Sequence, residues 1–328
     1  MTEPLVAEPL VIVADIGGTN TRVALADGRK VRSTSVRKYS NASYPELGPV
    51  LTRFMSETGI TDVDGCCVAA AGPVRDGVAT MTNLDWVIDS AALTAATGAE
   101  QVAILNDLQA QGHALGHIAP ANLRSLIAGP QKAGGSMLVI GLGTGVNAAP
   151  VHEAPGGRVV AASECGHVTM PTRTADDLAL VTFVEGYGPH AHGFAGVEDV
   201  LAGRGLERLY AFACVQAGAP DEKPAADVMA AIGRGEANAV TAARLYTRIL
   251  GEVMGDLALI HLPFGGIYLI GGVARAMTPY LSDLGLTAAF CDKGRFSDFM
   301  QGFAVSVVED DYAALTGCAA YLASLGRS

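Results

Sequence analysis

Two stretches of this chain follow one plan, and that plan restricts the fold more than any other feature. "VIVADIGGTNTRVALA" (11–26) and "MLVIGLGTGVNAAPV" (137–151) each pass from apolar strand residues into a loop of Gly, Thr and Asn. Each then returns to small, β-prone residues. A dinucleotide-type glycine loop must open a helix, and a P-loop needs Gly-Lys followed by Ser or Thr. Neither condition is met, so both loops are expected to close β-hairpins. Glycine permits φ > 0 and lets a ligand approach the backbone closely, and successive N–H groups in such a loop can hold an anion. A third glycine pair, Gly271–Gly272, follows the apolar run Ile267–Ile270. Two related hairpins far apart in sequence predict two duplicated lobes facing one cleft. The alternative is chance likeness between two glycine-rich turns.

The rest of the chain reads as mixed α/β. At 328 residues it is long for one compact core. Strands are expected at Leu10–Ala14, Val23–Ala26, Cys66–Ala71, Val102–Leu105, Met137–Ile140, Ala148–Val151, Ile267–Ile270 and Ala304–Val308. Pro45 predicts a helix start. Ser90–Thr97 ends at Gly98, a C-cap signal. Leu245, Ile249, Val253, Leu257 and Ile260 predict one long helix leading towards Pro263. A last helix is expected over Ala313–Leu325.

Charge and cysteine usage exclude several function classes. The net charge of −11 argues against binding to a nucleic-acid backbone, which usually calls for a basic face. The six cysteines are scattered without Cys-x-x-Cys spacing. The start of the chain lacks the basic segment of a secretion signal, and no apolar run is long enough for a membrane span. A cytoplasmic protein with reduced thiols, binding neither nucleic acid nor membrane, is expected.

Polar residues concentrate at strand ends. Asp15 ends the first strand, where its carboxylate either caps the turn or orients Mg²⁺ through water. Thr19 and Thr144 add hydroxyls, and Arg22 pairs with either a phosphate or a carboxylate. "AILND" (103–107) ends a strand in Asn106 and Asp107, the edge at which open α/β sheets bind ligands. Asp107 suits a base that takes a hydroxyl proton during phosphoryl transfer. The same pair equally suits the N-cap of a following helix. In "SECGH" (163–167), Glu164 and His167 could bind vicinal hydroxyls of a sugar. A metal site at Cys165 and His167 lacks further ligands nearby. Glu198 is another candidate, or else a solvated glutamate at a helix start.

Taken in order, "ADIGGTNTRVAL", "MTNLDW", "LNDL", "GLGTG", "SECGH", "VEDVLAGRGLERLY", "GGIYLIGGVA" and "DKGRF" resemble the bacterial ATP-dependent glucokinases. The likeness runs from about Ala14 nearly to the C-terminus. It implies an α/β, two-lobed, actin-like ATPase fold (hexokinase, ribonuclease H-like) with a central cleft. The small lobe would cover 1–108, completed by the C-terminal helix 311–328, and the large lobe 109–310. It implies phosphorylation of D-glucose to glucose 6-phosphate by ATP with Mg²⁺, feeding glycolysis, in a homodimer. By resemblance Ala14, Asp15, Ile16, Gly17, Gly18 and Thr19 form the first phosphate hairpin. Gly143, Thr144 and Gly145 form the second, and Gly271 and Gly272 lie near adenosine. Asn106 and Asp107 match the sugar-binding pair, with Asp107 the catalytic base, and Glu164, His167 and Glu198 match the remaining sugar ligands. No metal is implied beyond Mg²⁺ held by ATP and water, with Asp15 a candidate contact.

Alternatives are a kinase for fructose, mannose or an N-acetylhexosamine, or a non-catalytic sugar sensor. Three segments depart from the family pattern. Asn147 replaces the last glycine of Gly-Thr-Gly-Leu-Gly. Ser163 and Cys165 replace glycines of Gly-Glu-Gly-Gly-His. "YAALTG" (312–317) replaces Pro-Gly-Leu-Leu-Gly and leaves the start of the last helix open.

Overall fold

The computed structural model describes residues 8–81, 84–155, 157–188 and 191–326. They form two compact units. The first runs up to Pro120 and includes Ala154–Val160 and the chain from Asp310; the second comprises Ala121–Glu153 and Ala161–Glu309. Residues 109–120 thus stand with the first unit.

In the first unit, β1 (Leu10–Ile16) and β2 (Asn20–Asp27) form an antiparallel hairpin with Asp15 opposite Arg22. β3 (Lys30–Val31) and β4 (Arg37–Ser40) both pair with β2. After α1 (Leu47–Thr58), β5 (Gly65–Ala70) runs parallel to β1. Each of its six residues is buried, as expected of a central parallel strand. β6 (Val74–Arg75), β7 (Val78–Thr80) and β8 (Val87–Asp89) make a small antiparallel sheet. α2 (Ser90–Thr97) begins at Asp89, whose carboxylate accepts the Ala92 N–H, and ends at left-handed Gly98. β9 (Gln101–Asn106) lies parallel to β5 and leads directly into α3 (Asp107–Ala114). The main sheet order is β3-β2-β1-β5-β9.

Alternate residues of β1 feed two cores. Ile12, Ala14 and Ile16 pack with α1 residues Val50, Leu51 and Phe54 and with Trp86 and Ile88. Val11 and Val13 pack with Ala314, Leu315, Cys318 and Leu322 of the C-terminal helix, Ala313–Leu325. That helix also lies against α3, so closely that a Cβ on Gly317 would sit 1.7 Å from the Ala110 carbonyl oxygen. Its start, left open by the sequence, falls after Tyr312, whose N–H donates to Asp310 Oδ1 at 2.8 Å. The far end of α3 is closed by Arg158, from the short strand Gly157–Val160. Its guanidinium donates to the carbonyls of Gly112, His113 and Leu115, satisfying acceptors that a helix end leaves bare.

The second unit repeats the pairing scheme. β11 (Met137–Leu142) and β12 (Val146–Ala154) form an antiparallel hairpin. β13 (Gly266–Ile270) lies parallel to β11, and β14 (Val305–Val308) parallel to β13. β10 (Leu123–Ile127) closes the edge antiparallel to β14. The run β12-β11-β13-β14 thus matches β2-β1-β5-β9 in direction and order, the topological form of the repeat seen in sequence. The helices are α4 (Ala175–Gly186), α5 (Val197–Leu201), α6 (Gly203–Gln216), α7 (Ala225–Gly233), α8 (Ala237–His261), α9 (Gly272–Leu281), α10 (Leu286–Cys291) and α11 (Ser297–Met300). α8 is buried through Ile249, Leu250, Met254 and Tyr246, whose hydroxyl donates to the Leu201 carbonyl at 3.0 Å.

Two expectations change. Pro45 does not open α1: Glu46 is the N-cap and the first turn begins at Leu47. Ile260 keeps its angular place on the α8 stripe but is 69% exposed, since periodicity gives a side chain's direction and not a neighbour to meet it. Among the described residues no helix is long and apolar enough to cross a membrane.

Candidate functional site

The first glycine loop, Gly17–Thr19, joins β1 to β2 as a hairpin, with the Gly17 N–H donating to the Asn20 carbonyl at 3.0 Å. Gly18 and Thr19 are exposed, which leaves their surface open to a ligand. The loop is tied down by Asn41, a residue the sequence did not single out. Its Nδ2 donates to the Gly17 carbonyl at 2.7 Å, its backbone N–H donates to the Thr19 carbonyl at 2.9 Å, and its Oδ1 accepts from the Thr21 hydroxyl at 2.8 Å. Asn41 is 2% exposed, so these bonds satisfy a buried amide that would otherwise be costly. Ahead of the loop, Ala14 and Ile16 point into the core beside α1, and half-buried Asp15 faces Arg22. The Arg22 Nη1 to Asp15 Oδ2 distance is 3.4 Å, long for a charge-assisted bond. Burial raises the Asp15 pKa, and Arg22 opposes the shift.

Asn106 and Asp107 stand at the carboxyl end of β9, level with the ends of β5 and β1 in the register Asn106–Ala70–Ile16. The capping alternative holds for Asn106. Its Oδ1 accepts the Leu108 N–H at 3.0 Å, its Nδ2 donates to the Gly72 carbonyl at 3.0 Å, and its backbone N–H donates to Gln109 Oε1 at 3.2 Å. Asp107 occupies the first turn of α3, and its Oδ1 shares the Leu108 N–H at 2.8 Å. The carboxylate is accessible to solvent, yet surrounding protein raises its pKa to about 6. The Leu108 N–H opposes this shift, while the like charge of Asp15 adds to it.

In the second unit the Gly143–Gly145 loop closes the β11–β12 hairpin, with the Gly143 N–H donating to the Gly145 carbonyl at 3.0 Å. It is braced by the α5–α6 segment. The Gly203 N–H donates to the Gly143 carbonyl at 2.9 Å, and Glu198 Oε2 accepts the Val146 N–H at 2.9 Å. Glu198 is therefore not a freely solvated helix-start residue: it also pairs with Arg204 at the start of α6. Gly166 fits here because it has no side chain, since a Cβ would lie 2.0 Å from the Val146 carbonyl oxygen. Glu164 precedes the single turn Cys165–His167, His167 ends it, and both are exposed. Thr144 is likewise exposed. Gly271 follows β13 at φ +101°, where a Cβ would meet the Leu142 carbonyl oxygen at 2.3 Å, and exposed Gly272 opens α9.

The first unit thus gathers Asp15, the Gly17–Thr19 loop, Asn106 and Asp107 at one sheet edge. The second gathers the Gly143–Gly145 loop, Glu164, His167 and Glu198. Asn41, Arg204 and Arg158 escaped the sequence reading. Asn41 and Arg158 act through contacts distant in sequence, and Arg204 through a pairing with Glu198 across the α5–α6 junction.

Comparison with known proteins supplies the family. A family model described as glucokinase matches residues 12–325. A glucokinase of Saccharophagus degradans is 30% identical over 319 residues, covering 96% of this chain and 98% of the relative. The crystal structure of a glucokinase from an Antarctic psychrotroph superposes with a TM-score of 0.86 at 26% identity, covering 96% of this chain and 98% of that one. A ROK family glucokinase from Streptomyces griseus, in complex with glucose and AMPPNP, shares the fold at a TM-score of 0.60 and 20% identity, covering 94% and 98%. The match spans both hairpins and nearly every described element, so the chain belongs to the glucokinase family.

Proposed function

We propose that this chain transfers the γ-phosphoryl group of ATP to the 6-hydroxyl of D-glucose in the cytoplasm, feeding glycolysis, and that Asp107 is the general base. The observation that carries this reading is a carboxylate with a pKa near 6 at the carboxyl end of the sheet of a glucokinase-family chain. Asp107 takes the hydroxyl proton as that oxygen attacks the γ-phosphorus. The N–H groups of the Gly17–Thr19 and Gly143–Gly145 loops hold the phosphate oxygens, so positioning and electrostatics supply most of the rate. Asn106, Glu164, His167 and Glu198 bind the sugar hydroxyls, and Gly271–Gly272 lie beside the adenosine. A homodimer is part of the same reading.

Mg²⁺ suits this donor set. Among the described residues no group of three or more His, Cys, Asp or Glu could cage a metal. A cation held mainly by phosphate and water, with one carboxylate, matches Mg²⁺ chemistry. Asp15 would hold it, directly or through water, and the bound cation would offset phosphate charge.

The decisive measurement is ADP release coupled to a reporter enzyme across glucose, fructose, mannose and N-acetylhexosamines. Glucose is expected to give the highest kcat/KM. A higher value for another hexose would move the substrate assignment, and nucleotide binding without turnover on any sugar would sink the kinase reading.

A pH prediction follows from Asp107. The base works only when ionised, and its raised pKa places its protonation near pH 6. In a profile of kcat/KM for glucose, which reports the free enzyme, the rate should be flat above neutrality. It should fall through an acid limb with its midpoint near pH 6. Asp15→Asn removes a like charge and should move the midpoint to lower pH. A limb between pH 4 and 4.5 in the wild type would contradict the environment described for Asp107.

A further inference from the structure

We infer that Asn147 is a positioning residue that ties the nucleotide loop to the hexose loop and sets the Glu164 carboxylate for its ligand. The inference rests on the reading of Glu164 as a hexose ligand. Asn147 lies on β12, opposite Gly141 and two residues beyond Gly145. Its side chain spans three consecutive residues of the other loop. Nδ2 donates to the Ser163 carbonyl and lies 3.3 Å from Glu164 Oε2. Oδ1 accepts the Cys165 N–H at 3.2 Å and lies 3.0 Å from Ser163 Oγ. The Ser163 hydroxyl is itself 2.6 Å from the Ala148 carbonyl oxygen, so it too joins this strand to the loop.

Two of the three departures from the family pattern are therefore one structural unit: the amide at 147 meets Ser163 and Cys165. The neighbouring residue completes the link. The Val146 N–H is held by Glu198, and the Val146 carbonyl packs under Gly166. Residues 146 and 147, directly after the phosphate loop, thus contact both proposed sugar carboxylates of this unit, Val146 through Glu198 and Asn147 through Glu164. A ligand that orders Gly143–Gly145 also orders the carboxylates that receive the sugar. Binding of one substrate then favours the other, and the coupling is reciprocal.

The test compares Asn147→Ala, Asn147→Gly and Glu164→Gln in the full chain, with glucose affinity measured by calorimetry with and without AMPPNP. Asn147→Ala should weaken glucose binding about tenfold, the scale of a lost bond to a charged group. It should leave kcat within about threefold and abolish the gain in glucose affinity that AMPPNP confers. Asn147→Gly should do the same, and it supplies the readout if the alanine variant folds poorly. Combined with Glu164→Gln, the effect of Asn147→Ala should shrink, because both act on one carboxylate. Glucose affinity within twofold of wild type in both Asn147 variants, or full additivity with Glu164→Gln, would overturn the inference. If Glu164→Gln alone leaves glucose binding unchanged, the hexose assignment fails and this inference falls with it. A weakened Glu164→Gln beside unaffected Asn147 variants would reject the positioning role only.

Discussion

Replacing Asp107 by asparagine is expected to lower kcat by ~10²–10⁴-fold, the usual cost of losing a general base. Glucose should still bind. The amide oxygen can accept the Leu108 N–H that Oδ1 accepts at 2.8 Å, and Asn106 continues to cap α3. Removing a negative charge next to Asp15 relieves a like-charge contact, so the fold should lose no stability by that route. What the amide cannot do is take a proton. A group that acts only in the transition state lowers kcat and kcat/KM together. Calorimetry for glucose and steady-state kinetics on one preparation separate the effects. Turnover within threefold of wild type, with glucose bound normally, would falsify the role of Asp107.

Much of this arrangement is legible in the sequence because its signals are local. The hairpin form of both glycine loops follows from what comes after them, and the register Asp15–Arg22 fits that expectation. The placement of Asn106 and Asp107 at a strand end follows from the apolar run before them. The Gly98 cap could be read to the residue, and the C-terminal helix Ala313–Leu325 in all but its start. Strands of two or three residues, such as Val74–Arg75 and Val78–Thr80, carry too little pattern to be seen. Asn41 looks like any polar residue of a turn. Only its burial against the Gly17–Thr19 loop reveals its task. The Asn147 amide was visible as a departure beside the phosphate loop, but its partners at 163–165 were not. Contacts between segments are set by the fold, and a single sequence records them only indirectly.

The same limit applies to Gly317, where an added methyl group would make the closest contact found at any described glycine. Gly317 is in the second turn of the C-terminal helix, and α3 crosses there at backbone contact distance. An added Cβ would stand 1.7 Å from the Ala110 carbonyl oxygen, 2.6 Å from its carbon and 3.1 Å from the Ala114 nitrogen. Backbone cannot rotate away as a flexible side chain would, so the two helices must separate. In a helix interior alanine is favoured over glycine by ~1 kcal/mol. Overpacking of this kind typically costs ~1–3 kcal/mol, occasionally more, and here it also opens the interface of Leu315 and Cys318 with the sheet. The thermal midpoint should fall by several degrees. Activity should fall further than stability alone explains. α3 carries Asp107 in its first turn, and a displacement of ~1 Å at a reacting group can cost ~10²-fold. The control is Gly326→Ala. Gly326 has no atom within 4 Å of its would-be Cβ and a φ of −80°, so that variant should match the wild type. A Gly317→Ala protein with an unchanged midpoint and unchanged kcat would mean that the C-terminal helix does not hold α3, and with it Asp107, in place.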